Sequence, residues 1–384
     1  MFTLSAMLKG EGLLILLSMC SYSCSSDRLE TYRLKASEEL IIPIDSNTNY
    51  RTPFLVYHEE NGIPYLAIEN RYLNGIQFYD LNRKQLAFKT LFDREGENSL
   101  GGNDIGGFFI QSFDSIYVNA RKKRQLCLAD TSATILGRYD ISTADSLYFT
   151  ITGVTKAPIA KKKEHLFLYV LADFPIYKEP ASGHPLELQY DLSNGEAEVI
   201  FRFPDIYKGF YGFWHTHPCR TIADGSLVYS FPISPTVYAL DVRRRKVTMH
   251  DGLGSRYISH SFEPIQELHS AAYAAYAVEN GMYYEIVYDP YREVYYRFVL
   301  HPYATVDPRT GEAITKVERK PFSVQIISTG FKLLGETLFP PDRYYQTNFF
   351  IAPEGLYLSN NNDWNPEAQE DRLSFTLFKL QAPS

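Results

Sequence analysis

Ile76-Gln77-Phe78-Tyr79-Asp80-Leu81, followed across the turn Asn82-Arg83 by Gln85-Leu86-Ala87-Phe88, reads as two short strands joined by an acidic turn. The same figure returns at Gln125-Leu126-Cys127-Leu128-Ala129-Asp130, Leu188-Gln189-Tyr190-Asp191-Leu192, Val237-Tyr238-Ala239-Leu240-Asp241, Val324-Gln325-Ile326-Ile327-Ser328 and Thr376-Leu377-Phe378-Lys379-Leu380. Its anchors fall at positions 80, 130, 191, 241, 328 and 379, so the spacings are 50, 61, 50, 87 and 51. Periods near 50 belong to the blades of β-propellers, each a sheet of about four strands. The expectation is an all-β chain folded as a six-bladed β-propeller.

The blades can be walked outward from these anchors. Blade one has strands near 54–57, 64–68, 75–79 and 85–90, with alternation and turn residues in agreement. Blade two starts at residue 107, blade three covers 147–203 with a longer internal loop at 174–184, and blade four runs from 220 to about 249. The spacing of 87 leaves an alternative open: Tyr288-Asp289 also matches the repeat and would give seven blades. Against it, residues 301–321 offer no strand pattern for a further blade, so 272–339 reads as one enlarged blade with an insertion. The last unit is one strand short, and Glu39-Leu40-Ile41-Ile42-Pro43-Ile44 can supply it. Closing the ring in this way removes the open sheet edges.

Composition agrees with this architecture. The chain has 384 residues, 45% of them hydrophobic, with 30 Tyr and 25 Phe. Aromatic side chains suit pleated faces, and helix is expected to be scarce. A formal charge of −7 argues against nucleic acid as a partner, which would demand a concentrated basic face. The basic runs Lys161-Lys162-Lys163 and Arg243-Arg244-Arg245-Lys246 fall at strand connections and read as solvated turns.

The first residues read as an address. Lys9, the apolar run 13–19 and small residues around Cys20 and Cys24 form a signal peptide, too short in its apolar part for a spanning helix. The boundaries expected are a lipoprotein signal peptide at 1–23, a tether at 24–37 and the propeller at 38–384. The cysteine region resembles a bacterial lipobox, in which the Cys after a small residue is acylated. Cys24, preceded by Ser23, is the favoured lipid-attachment site, with Cys20 the alternative. Such a chain is expected in the cell envelope, lipid-anchored, at the outer membrane. Of the remaining cysteines, Cys127 reads as a small buried hydrophobe and Cys219 as a strand start in a different repeat, so no disulfide is expected between them.

The Gly-rich stretch from Asp93 to Ile110, then Asp114-Ser115-Ile116-Tyr117-Val118, resembles the inter-blade loop and strand of six-bladed NHL- or TolB-like propellers. With the lipobox, Tyr288-Asp289 and Tyr295-Tyr296-Arg297, the chain resembles an uncharacterised family of Bacteroidota propeller lipoproteins. That resemblance implies an envelope lipoprotein and carries no established activity or functional residue with it.

Chemistry is sparse in the sequence. Trp214-His215-Thr216-His217-Pro218 is the most suggestive cluster, because in an extended segment both histidines would share a face. No third ligand accompanies them as a motif, so no metal and no cofactor is expected. The stretch Asn360-Asn361-Asn362-Asp363-Trp364-Asn365-Pro366 pairs one Trp with amides and a carboxylate, which is how sugar rings are often gripped. Trp214, His215, His217 and Trp364 are therefore the candidate ligand-binding residues. The Gly-rich loop 96–107 lacks the Gly-Lys-Ser/Thr ending of a P-loop and leads into a strand, so it reads as a tight turn and not a phosphate cradle. There is no Gly-x-Ser-x-Gly elbow and no His-Glu-x-x-His. The leading expectation is a binding or scaffold module for a protein or glycan partner in the envelope. The alternatives are a hydrolase or lyase acting on saccharides or small esters in the central funnel, and a structural subunit of a larger envelope complex.

Overall fold

The computed structural model describes residues 31–383 apart from short stretches at 53, 103–104, 142–148, 152, 154, 173–179, 260 and 266–269. The stretch read as a signal peptide, with Cys20 and Cys24, lies outside the described residues. The remainder forms six antiparallel sheets in ring order, a six-bladed β-propeller. The first four sheets are β2 (Leu55–Glu60) to β5 (Gln85–Leu91), β6 (Ile105–Ser112) to β9 (Ile135–Asp140), β10 (Phe149–Ile151) to β14 (Ala197–Arg202), and β15 (Cys219–Ala223) to β18 (Lys246–His250). They are followed by β19 (Met282–Asp289) to β22 (Leu333–Phe339) and by β23 (Tyr345–Ala352), β24 (Gly355–Ser359) and β25 (Arg372–Gln381). The sixth sheet takes its fourth strand from the other end of the chain, β1 (Arg33–Pro43), which runs antiparallel along β25 from Arg33 opposite Gln381 to Pro43 opposite Arg372.

Strand β1 begins at Arg33, inside the stretch read as tether. Leu34 is buried there, and its N–H donates to Thr337 Oγ1 of β22 at 2.8 Å, so residues 33–37 belong to the fold. Alternating burial of Leu40 and Ile42 then locks the register of the strand, because a slip by one residue would turn both outward.

The repeat that announces the blades has a physical cause. At Asp80, Asp130, Asp191 and Asp241 one carboxylate oxygen, Oδ1, accepts backbone N–H groups from the next residues of the outer hairpin turn. At blade five Ser328 Oγ accepts the Lys332 N–H in the same place. Asp and Ser are favoured there because a short polar side chain can replace a missing turn partner. Asp289 performs the same service for Tyr291 and Arg292, but between the first and second strands of blade five. It is an inner turn of an existing blade, which is why the seven-blade count fails. The insertion 301–321 carries a 3-10 turn at Val317–Arg319 and an isolated bridge between Val306 and Ala313, not a blade. The basic turns at 162–163 and 243–246 are exposed, as expected of solvated connections.

Blade three departs from the pattern. Its innermost strand is split: β10 pairs the far end of β12 (His165–Ala172), and β11 (Ala160–Lys162) pairs the near end. Between them the chain leaves its own sheet and touches both neighbours. The Gly153 N–H donates to the Gly106 carbonyl of blade two at 2.7 Å, and the Lys156 carbonyl accepts the Arg220 N–H of blade four at 2.7 Å. Arg220 also donates through Nη1 to the Pro158 carbonyl. The excursion is thus stitched to the inner strands on either side.

This crossing explains one glycine that the sequence assigned to a turn. Gly107 lies within β6 at φ +98°, and a Cβ there would sit 1.8 Å from the Gly153 carbonyl oxygen. The Gly107→Ala variant is expected to lose at least about 1–3 kcal/mol to overpacking, before any cost of the left-handed backbone. Urea unfolding measures it; a midpoint equal to that of the parent would mean that the excursion moves aside freely.

Neighbouring blades meet through aromatic layers. Phe298 stacks on Phe322 and Phe349, and Phe322 on Phe339 at 4.8 Å between ring centres. Two buried arginines cross the blade boundaries. Arg297 donates to Ser230 Oγ and to the carbonyls of Ser234 and Pro235, all within 2.8 Å, beneath the Tyr283 ring. Arg220 meets Glu187 at 2.8 Å with both side chains fully buried. Cys127 and Cys219 are free buried thiols in different sheets.

Candidate functional site

In an antiparallel meander successive connections alternate between the two ends of the sheet. Here one end carries only tight turns, such as 61–62, 113–114, 163–164 and 224–225. The other end carries all the long connections, including 92–104, 203–218, 251–281, 301–321 and 360–371. Function in propellers and other rigid scaffolds is carried on long loops. All four residues singled out in the sequence lie at this end.

The structure separates the two histidines. Residues Gly212–Thr216 form a short helix, α1, opened by Gly212 at φ +75° and held by Thr216 Oγ1 donating to the Gly212 carbonyl at 2.7 Å. The extended reading fails because the Tyr207 hydroxyl takes the His215 carbonyl and folds the aromatic run into a turn. The His215 ring meets the Gly281 carbonyl through Nε2 at 3.0 Å and packs on Tyr276 of helix α2 (Ser270–Glu279). His217 instead meets the Tyr169 hydroxyl through Nδ1 at 3.1 Å and packs against Phe213. Burial, with Lys156 nearby, drives the His217 pKa down to about 3, so the ring is neutral. Among the described residues no group of three or more His, Cys, Asp or Glu is placed to hold a metal ion.

Trp214 is half-buried against the core between blades four and five. Trp364, also half-buried, lies across the Arg319 guanidinium at 5.3 Å. Arg319 is itself fixed by Asp307 and Asp342, which Arg309 bridges as well. Trp364 therefore covers an ion-pair network that ties the insertion 301–321 to residue 342.

Three carboxylates at this end have one oxygen each without a hydrogen-bond partner: Glu69, Glu285 and Glu318. His217 Nε2 shares that condition. Buried polar atoms are nearly always paired, so a concentration of exceptions asks for an explanation. Glu285 sits on the inner strand β19 with Lys156 of the excursion and the Cys219 thiol as its neighbours, the thiol donating to it. Burial outweighs Lys156 and pushes the carboxyl up to about 8. Lys156 Nζ stands 6.0 Å from the centres of both the Phe213 and Tyr284 rings, which joins His217 and Glu285 to one neighbourhood. Near blade six, Glu318 is raised by burial and lies within reach of Asp363 and Arg51, which pair at 2.5 Å.

Glu69 stands apart, at the end of β3 (Ile63–Asn70). Burial raises its carboxyl to about 7 although Arg71 Nε donates to Oε1 at 2.5 Å. It belongs to a cavity of about 320 Å³ between blades six and one, with Arg51, Thr52, Arg71, Tyr72 and Asn348 among its walls. A larger groove of about 510 Å³ lies on the tight-turn face between Lys162, Asp224, Asp241 and Arg244. There the Asp241 carboxylate already caps its own turn, which leaves solvated charge and little else.

None of Glu69, Lys156 or Glu285 stood out in the sequence as functional. The signal was present for Glu285, an acid inside Met282-Tyr283-Tyr284-Glu285-Ile286, where every neighbour is apolar and buried.

A titration tests the state of Glu285. A carboxyl raised in the folded chain contributes stability that is complete below its unfolded value of 4.5 and lost as pH rises towards 8. The Glu285→Gln variant cannot titrate. Compared with the parent, its urea midpoint should therefore improve on passing from pH 4.5 to above pH 8. A difference independent of pH would show that Glu285 is ionised throughout.

A family model described as a domain of unknown function, DUF4221, matches residues 31–338. The crystal structure of a DUF4221 family member from Bacteroides vulgatus is 26% identical, with a TM-score of 0.81 over 92% of this chain and 99% of that one. A Bacteroides fragilis structure named as an exported protein is 10% identical, with a TM-score of 0.52 over 92% and 96%, a likeness of fold. The curated proteins contain no match. With most of its length matched by the family model and its ring of six sheets shared with a family member, the chain belongs to the DUF4221 family.

Proposed function

We propose that the protein is an envelope-tethered binding module that takes a protein or glycan partner on its long-loop end. The observation that carries this reading is the pair of buried, half-satisfied polar groups Glu285 and His217, gathered around Lys156 beside the rings of Phe213 and Tyr284, with Trp214 packed on Phe213. Convergent polar groups set among aromatic surfaces are the usual make-up of a ligand site. The opposite end has only tight turns. Export and acylation at Cys24, or Cys20, rest on the signal-like leader; the Bacteroides fragilis structure of like fold, named as an exported protein, agrees with export alone. No helix among the described residues is long and apolar enough to cross a membrane.

A hydrolase or lyase acting in the funnel is the second reading, favoured by one fact. Glu285 holds its proton near neutral pH, which is the state that a general acid needs. The two readings part on turnover: an enzyme loses it in the Glu285→Gln variant, whereas a binding module has none to lose.

The deciding experiment is a thermal-shift screen of the purified protein against glycans, peptides and divalent metals. A ligand at 100 times its dissociation constant adds about 2.7 kcal/mol to the folded state. A shift that is weakened in Trp214→Ala supports the binding module. Silence to all three classes, with no partner cross-linked in intact cells, defeats it.

A further inference from the structure

Asparagine followed by glycine occurs four times, at Asn61-Gly62, Asn74-Gly75, Asn194-Gly195 and Asn280-Gly281. The pair has a chemistry of its own. The main-chain nitrogen of the second residue can attack the side-chain carbonyl carbon of the first, and glycine leaves that nitrogen unhindered. The reaction needs an amide free to turn, a main-chain N–H open to solvent base and a backbone able to move, so the fold decides which of the four is competent.

Three of the four are held. Asn74 is 1% exposed, and its amide nitrogen donates to the Phe92 carbonyl at 3.0 Å. The Asn280 amide donates to the Tyr276 carbonyl at 3.0 Å at the end of α2, while the buried Lys320 ammonium grips the Asn280 carbonyl and Gly281 is itself buried. Asn194 lies in an exposed turn, yet both ends of its amide are engaged. Its Oδ1 accepts the Glu196 N–H at 2.9 Å, and its Nδ2 donates to the Glu196 carboxylate at 3.2 Å.

Asn61 is different. Asn61 and Gly62 form the exposed two-residue turn between β2 and β3, with φ of +52° and +75°, the left-handed conformation that such hairpin turns require. The Asn61 side chain makes no hydrogen bond among the described residues. The ladder closes with Glu60 opposite Ile63, which leaves the Gly62 N–H outside it. Nothing stands within 4 Å of the place that a Gly62 side chain would take, so the turn can move without displacing a neighbour.

We propose that Asn61 is a site of spontaneous deamidation, which marks the age of the molecule on its tight-turn end. Solvent base takes the Gly62 amide proton, the nitrogen bonds to Asn61 Cγ, and the side-chain nitrogen leaves as ammonia. Water then opens the resulting succinimide at either carbonyl, giving aspartate or isoaspartate, with no change of oxidation state. Either product places a third carboxylate beside Glu59 and Glu60, of which Glu60 already pairs with His58 at 2.9 Å. Isoaspartate also lengthens the main chain of a two-residue turn by a carbon and so breaks the pairing of Glu60 with Ile63. The mark lies at the opposite end of the ring from Trp214 and His217, and it is independent of the binding-module reading.

The purified full chain is aged in mildly alkaline buffer, and peptide mapping with enzymatic methylation of isoaspartate follows each of the four pairs. Asn61 is expected to react first. It should lead Asn194 by about tenfold, about 1.4 kcal/mol of barrier, since Asn194 must first release both ends of its amide. Asn61→Gln should remove the early product, because the longer side chain closes its ring far more slowly, and Asn194→Gln should leave it in place. An early loss at Asn194, Asn74 or Asn280, or an early product that persists in Asn61→Gln, overturns the assignment. So does an intact Asn61 at a time when a free peptide spanning residues 57–66 has largely reacted.

Discussion

Replacing Arg220 by Met is expected to cost about 3–5 kcal/mol, because it leaves the Glu187 carboxylate buried without its counter-charge. Both side chains have no exposure, and Arg220 reaches Glu187 through Nε at 3.2 Å and Nη2 at 2.8 Å. The Tyr229 hydroxyl donates to the same carboxylate at 3.0 Å, so the pair is part of a closed network between blades three and four. Arg220 further holds the Pro158 carbonyl, and with it the excursion that splits blade three. Lysine should not rescue the site, since a single ammonium cannot reproduce a fork that serves a carboxylate on one side and a carbonyl on the other. The urea midpoint measures the loss. Pairing the change with Glu187→Leu should recover much of it, because the cost comes from the orphaned charge more than from the missing bond. If the single variant unfolds at the parent midpoint, or the double variant is no better than the single one, the network is not the latch described.

Removing residues 31–45 is expected to abolish the cooperative transition altogether. The deletion takes away the buried side chains of Leu34, Leu40 and Ile42. At about 1.5–3 kcal/mol for each, their burial alone is comparable with the 5–15 kcal/mol that holds a typical domain. It also exposes the full hydrogen-bonding edge of β25, from Arg372 to Gln381, as a template for other chains. The contact made by Tyr32, whose N–H donates to the Leu334 carbonyl of blade five at 3.2 Å, disappears too. Circular dichroism on heating should show aggregation or a broad, shallow change in place of a single melt. A truncated chain with an unchanged sharp transition would mean that the ring stays closed without its outer strand.

The blades were legible because their turns have a chemical signature. An Asp whose side chain caps a hairpin leaves a letter in the sequence at a regular distance, and Asp80, Asp130, Asp191 and Asp241 did so. The same signature left a seventh blade open at Asp289, since an inner turn can be capped by the same chemistry as an outer one. The closing strand was found from a deficit of one strand in the last unit, although its start at Arg33 was hidden by the polar sequence Lys35–Glu39. The split inner strand of blade three had no local sign: a backbone that crosses to its neighbours depends on where those neighbours stand. Glycine at 107 recorded the crossing, but a turn and a close approach ask for the same residue. The sequence did not say at which end of the ring the Trp214–Pro218 cluster lies, and the direction of each imidazole is set by Tyr169 and Gly281, remote in sequence. Glu69 and Glu285 acquire their unusual protonation only from burial, which a single charged letter in an apolar run suggests without proving.

Because Arg33 pairs with Gln381, the first strand of the ring waits for the last. Nearly the whole chain separates the two partners, so the closing contact is among the most nonlocal that this polypeptide can make, and such contacts form slowly. During synthesis or translocation five blades can assemble while the sixth lacks its outer member and the leading segment stays unpaired. The order of events in folding is thus written into the topology: blades first, then a single late zippering of β1 onto β25 that converts an open arc into a ring.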